Sequence, residues 1–338
     1  MRSTLTLLAA LPLTGCNLFR SAYIETTCED LPGQCGTVDT EPGPDDTFDT
    51  APWIPPPPSS LGVVLGSLVD GQIWLRALLP DGVIAKEAHF DASDLRTGPV
   101  EYDPVEDRLF LWDDAAATLW MIGGEGDVRS VGDVDAAIGR VHDLQMFEGA
   151  LYLVSDKAIW RWTPDADALE RLATTSSFYL LCGIFPSSQA GSLSVVDLGA
   201  DDAPDLYRVD PSSAASVLVY ADFDSEPGRT ASGFQGPSSK PHVCSSVGAI
   251  YSVEDLQSGN RAPLVLADQD AMTAEFGVGL AEETTDCAWD AGAERFLIHS
   301  LTVGVLALDA WGHFVVLARP GEAEEFIRAS FFVPLETE

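Results

Sequence analysis

Asp103-Pro104-Val105-Glu106-Asp107-Arg108-Leu109-Phe110 is echoed far downstream by Asp290-Ala291-Gly292-Ala293-Glu294-Arg295-Phe296-Leu297. The aromatic before each Asp matches as well, Tyr102 and Trp289. Two more patterns recur around this one. Gly149-Ala150-Leu151-Tyr152 returns as Gly248-Ala249-Ile250-Tyr251. A third strand repeats as Ile73-Trp74-Leu75-Arg76, Leu119-Trp120-Met121-Ile122, Ile159-Trp160-Arg161-Trp162 and Leu206-Tyr207-Arg208-Val209. From Trp74 to Trp120, Trp160 and Tyr207 the steps are 46, 40 and 47 residues. Between the repeats, short apolar runs alternate with Gly, Asp, Pro and Ser turns, and helical periodicity is scarce. A repeat of this length, holding four short strands, is the unit of a β-propeller.

Five complete units can be written: Val100–Gly132, His142–Ala173, Phe178–Ala221, His242–Gly277 and Asp286–Pro320. Val63–Ala88 supplies three strands before them, and Phe326–Pro334 one strand after them. Adding the last strand to the first three closes a ring of six four-stranded blades and removes exposed sheet edges. The expected fold is therefore all-β, a six-bladed propeller over residues 61–338. A seventh blade follows only if 222–241 hides strands. The pattern resembles the six-bladed group that includes the YWTD, NHL and TolB-like propellers, and Leu109-Phe110-Leu111-Trp112-Asp113 is similar to the YWTD motif without matching it.

The chain opens differently. Arg2, an apolar segment from Leu5 to Leu13, and Leu13-Thr14-Gly15-Cys16 resemble the signal and lipobox of bacterial lipoproteins. The resemblance implies removal of residues 1–15, lipidation of Cys16 and an envelope location. Asn17 is not the Asp that holds such proteins at the inner membrane, so the outer membrane is expected. Residues 16–60 read as an acidic tether. Thr37–Ser60 is rich in Asp, Glu, Thr, Pro and Gly and ends in Pro55-Pro56-Pro57-Pro58, with too few apolar groups to offset chain entropy. Cys28 and Cys35 within it enclose Pro32 and Gly33 and read as a small disulfide loop. Cys182, Cys244 and Cys287 are an odd set, so at most one pair forms among them, and the sequence does not say which.

A formal net charge of −35 repels phosphate backbones, which excludes nucleic acid as a partner. The expected contacts are the membrane, through the lipid, and an envelope protein or a small-molecule or glycan ligand. Nothing in the sequence marks a catalytic residue. No Gly-x-Ser-x-Gly elbow or phosphate loop occurs. The turns joining second to third strands carry Asp70, Asp113, Asp114, Asp156, Asp197, Asp255 and His299. A rim of carboxylates suits calcium, but Asp at a tight turn is explained by its bonds to backbone N–H groups, so no metal residue is assigned. Ligands of propellers usually meet the channel mouth on the face of those turns. Arg140, His142 and Asp143 fall there as a small polar cluster. The long segment Asp222–Pro241 brings Arg229, Phe234 and Lys240, two cations and an aromatic, and reads as a binding loop between blades. The expected role is a lipid-anchored binding or scaffolding module. The alternative is a metal-dependent hydrolase similar to the six-bladed lactonases. Those use Asn, Glu and Asp in the channel, whereas the one Asn of this propeller is Asn260.

Overall fold

A computed structural model describes residues 59–91, 97–124, 127–131, 138–156, 158–174, 178, 180–198, 204–221, 230–277, 279 and 284–335. The lipobox, Cys28, Cys35 and Arg229 lie outside these residues. Six four-stranded antiparallel sheets form the blades. The first holds β1 (Gly62–Val69), β2 (Gln72–Leu78) and β3 (Ile84–Asp91). The second runs β4 (Thr97–Asp103), β5 (Arg108–Asp113), β6 (Thr118–Ile122) and β7 (Val128–Ser130). The third runs β8 (Val141–Phe147), β9 (Ala150–Ser155), β10 (Ala158–Trp162) and β11 (Leu169–Thr174). The fourth runs β12 (Leu180–Pro186), β13 (Leu193–Leu198), β14 (Pro204–Val209) and β15 (Ser216–Tyr220). The fifth has β16 (Thr230–Gln235), β17 (Pro241–Ser245), β18 (Ala249–Ser252) and β19 (Val265–Leu266). The sixth has β20 (Thr284–Asp290), β21 (Arg295–Ser300), β22 (Gly304–Leu308) and β23 (Phe314–Ala318). The last strand, β24 (Glu324–Phe332), pairs antiparallel with β1 and closes the ring as the sequence predicts.

Burial explains the apolar runs. The second strands β5, β9 and β21 are buried along almost their whole length, because both of their faces meet a neighbouring blade. The outermost β15 exposes Val217, Leu218 and Val219. Trp160 and Trp162 pack with Phe110, Trp112 and Leu119 between the second and third blades, so their recurrence reflects packing.

The repeated Asp-to-Arg stretch is the turn from first to second strand. Asp103 accepts from the N–H groups of Val105 and Glu106 and pairs with Arg108 at 2.5 Å. Asp290 accepts from the N–H of Ala293 and pairs with Arg295 at 3.3 Å. Asp107 and Glu294, at matching positions, both take left-handed backbone (φ 51° and 49°). One turn geometry has therefore been written twice in the sequence.

The fifth blade departs from expectation. The segment 222–241 does hide a strand, but the count stays at six. Thr230–Gln235 is the innermost strand of that blade, which therefore starts before His242. The outer part of the blade holds two short helices, α1 (Val253–Gln257) and α2 (Gln269–Phe276), capped by Ser252 and Asp268. Asp255 sits in α1 and not in a turn between strands. Cys244 on β17 is disulfide-bonded to Cys287 on β20, with Cα atoms 6.4 Å apart, and Cys182 is a buried thiol. The bond ties the fifth blade to the sixth across 43 residues of sequence. Replacing both cysteines by Ala should cost about 2–4 kcal/mol in denaturant unfolding of the oxidised protein. Equal stability of the two proteins would show that packing alone holds these blades together.

Candidate functional site

Each innermost strand carries a bulge. The pairing register slips in β4 between Thr97 and Val100, in β8 between Val141 and Asp143, and in β12 between Leu181 and Gly183. It slips likewise in β16 between Thr230 and Ser232, in β20 between Thr284 and Asp286, and in β24 around Ile327. A bulge redirects the next side chain. The residues just past the bulges are Val100, Asp143, Gly183, Ser232, Asp286 and Arg328, one per blade. Most of them line a narrow point in the channel, with room for about one water molecule.

The side chains of this ring stitch blade to blade. Asp143 accepts from the N–H of Leu144 (2.9 Å) and, across the blade boundary, from the N–H of Ile184 (2.9 Å). Asp286 accepts from Ser232 Oγ and from the N–H of Cys287, both at 2.8 Å. Beside the ring, Glu101 accepts from the N–H of Met146 (3.0 Å) in the third blade and from Ser330 Oγ in the first. The free edge of each innermost strand presents N–H groups to the channel, and the carboxylates satisfy several of them.

Burial dominates the electrostatics of these acids. Enclosure pushes Glu101 up to about 8 despite its hydrogen bonds. Enclosure and the charge of Asp286 push Asp143 up to about 8, and enclosure pushes Asp286 up to about 7. Arg328 is the cation of the ring. Burial holds it below the ordinary guanidinium value, while Asp114, Asp143 and Asp286 act to keep it charged. Three carboxylates thus share one ring guanidinium.

Below the ring the channel widens into a cavity of about 750 Å³. Its walls include Tyr102, Phe185, Phe234, Trp289 and Phe332, and its upper end is Glu101, Asp143, Ser232 and Asp286. Its rim is the set of first-to-second strand turns, including Pro104, Glu106 and Glu148. The cavity therefore opens on the face opposite the one expected from the sequence. The chain also enters the disc on this lower face, where Ser60 bonds to Asp290 and Leu61 touches the cavity.

Of the residues singled out from sequence, Arg140, His142 and Asp143 lie near one another around the narrow point, whereas Phe234 and Lys240 lie elsewhere. His142 and Asp143 both border the narrow point but bond to different partners. Nε2 of the buried His142 lies 2.7 Å from Asp156 Oδ1, while Asp143 faces the channel. Arg140 lies on the upper side with Asp114 and Arg328. Phe234 is not on a loop: it is buried in β16, packs against Phe296 and His242, and walls the cavity. Lys240 pairs with Glu254 away from the channel. Asp113 forms its turn, accepting from the N–H groups of Ala115 and Ala116, whereas Asp197 accepts from the N–H of Leu180 on the neighbouring strand. Among the described residues, no three His, Cys, Asp or Glu side chains converge to hold a metal ion. Sequence reasoning missed Glu101, Ser232, Asp286 and Arg328. Aligning the innermost strands on their bulges would have found the ring, but of its six positions only Asp143 and Asp286 share a residue type.

The fold and its channel define the class: a closed six-bladed β-propeller with an acidic central constriction. No family model matches the sequence, and no curated protein resembles it significantly. Among solved structures it is similar to virginiamycin B lyase from Staphylococcus aureus, an inactive variant with quinupristin. That likeness has 11% identity and a TM-score of 0.49, covering 76% of this chain and 84% of that one. It is also similar to the calcium-binding protein regucalcin from Agrobacterium tumefaciens, at 13% identity and a TM-score of 0.48, covering 68% and 76%. Such distant likenesses say nothing of ligand or activity here.

Proposed function

We propose that this protein is a lipid-anchored binding module of the bacterial envelope whose propeller receives an extracytoplasmic ligand in the lower cavity. The observation that carries the reading is the preformed cavity itself, with aromatic side chains in its walls and polar groups at its inner end and rim, the usual makeup of a ligand site. The lipobox-like Leu13-Thr14-Gly15-Cys16 supports the anchor. The Cys244–Cys287 bond suits an oxidising compartment. The outer membrane remains the proposed location. The hydrolase alternative needs a converging set of metal ligands, and the described residues offer none.

The test uses full-length protein made in a bacterial host with lipoprotein processing. The wild type should fractionate with membranes and Cys16→Ala should become soluble. Native mass spectrometry of the detergent-released protein should show a small molecule retained on the folded chain. Wild-type localisation of Cys16→Ala would sink the anchor, and a protein that neither retains nor takes up small molecules would sink the binding role.

A further inference from the structure

We propose that the ligand of the lower cavity is an organic cation, a protonated amine carried on an apolar or aromatic body. This rests on the reading of the cavity as a binding site. Two features of the cavity are separate and point the same way. The first is its wall: Phe185, Phe234, Trp289 and Phe332 line it with aromatic carbon that suits an apolar body. The second is the charge at its inner end. Glu101, Asp143 and Asp286 face one another across the channel, and Arg328 is the ring's only guanidinium. When all three acids are ionised they outnumber the ring's one guanidinium, and either protons or a cation must supply the balance. The acids also keep acceptor capacity. Each carboxylate has about four lone-pair sites and accepts two or three hydrogen bonds here.

The same geometry rejects other ligands. An anion would be repelled at the inner end. Calcium wants about six to eight oxygens, and no three of these side chains converge on a point. An ammonium group needs less, since it donates three hydrogen bonds to acceptors spread around it. Glu106 and Glu148 on the rim, in a chain of net charge −35, would draw cations to the mouth.

The experiment is titration calorimetry of the full-length protein at pH 7 with 2-phenylethylamine, its uncharged counterpart 2-phenylethanol, and calcium chloride as probes. The amine should bind about tenfold or more tightly than the alcohol, the size expected of hydrogen bonds to charged groups. Its binding should release protons, read as a buffer-dependent heat. Asp286→Asn should remove the preference for the amine while keeping the alcohol, and Glu101→Gln serves if Asp286→Asn does not fold. Equal binding of amine and alcohol would overturn the cation while leaving the cavity as a binding site. Displacement of the amine by calcium would also overturn it, in favour of a metal. Binding of neither organic probe would overturn both this inference and the reading it rests on.

Discussion

Raising the pH from about 6 to about 9 should destabilise this protein markedly, with the melting temperature falling through the window in which the channel acids ionise. The sign follows from Glu101 and Asp143, pushed up to about 8, and Asp286, pushed up to about 7. In the unfolded chain these carboxyls lose their protons near pH 4, whereas the folded protein keeps them several units higher. Between the two values the folded state binds more protons, so stability falls as pH rises, and the whole contribution is lost above the folded values. Acids whose values are lowered by partners, such as Asp167 beside Arg129 and Glu254 beside Lys240, work the other way and weaken the fold only in more acidic solution. Greatest stability is thus expected at about pH 4, where the channel acids are still protonated in both states and the lowered acids are only beginning to lose their charge. General repulsion in a chain this acidic has the same sign but a different salt response. At about 1 M salt the screening length is ~3 Å, which removes surface repulsion and leaves the enclosed channel acids largely unscreened. The check is thermal unfolding from pH 5 to 9 at low and high salt, for wild type and for Asp143→Asn with Asp286→Asn. A slope that salt abolishes, or that the double variant keeps, would place the effect on the surface.

Ending the chain at Pro320 should abolish folding. β24 supplies the innermost strand of the first blade, pairs with β1 from Gly62↔Phe332 to Val69↔Glu324, and packs against β4 on its other side. Its loss would uncover the edge of β1, open the contacts of Phe326 with Leu65 and Val305, and remove Arg328 from the carboxylate ring. A point change separates these terms. Phe332 is buried, meets Tyr102 edge to face at 4.8 Å, and fills the space beside Gly62. Phe332→Ala should cost about 3–5 kcal/mol. Arg328→Met keeps the strand but leaves the ring without its guanidinium, and should cost a similar ~3–5 kcal/mol at neutral pH, with part recovered in acid as the carboxyls protonate. The readouts are circular dichroism and denaturant unfolding. A truncated chain that unfolds cooperatively like the full one would refute the closure argument.

Blade count and closure were legible because they rest on local chemistry repeated in the sequence. Asp103 and Asp290 build the same turn, the Trp74, Trp120, Trp160 and Tyr207 positions mark third strands, and the unpartnered strand at 326–334 had only the first blade to join. The fifth blade was harder to read. Its inner strand, Thr230–Gln235, carries Gly233 where a β-branched residue would have announced it. A Cβ at Gly233 would fall 2.6 Å from the ring of Phe185 and 2.9 Å from Val196, so close packing with the fourth blade required glycine. The structure likewise decided the cysteine pairing, because residues 244 and 287 meet only when the fifth and sixth blades stand side by side.

The sequence by itself determined a ring of six blades, since turns and apolar runs are local signals that a single chain repeats. Only the tertiary structure decided where its chemistry lies. The channel is assembled from one residue per blade, far apart in sequence and of five different types, each placed at the channel by its own bulge. His142 and Asp143, neighbours in the chain, bond to different partners, while Asp143 and Asp286 feel one another's charge across the channel. That proximity and enclosure raise the carboxyls out of their ordinary range, and neither can be read from a line of residues.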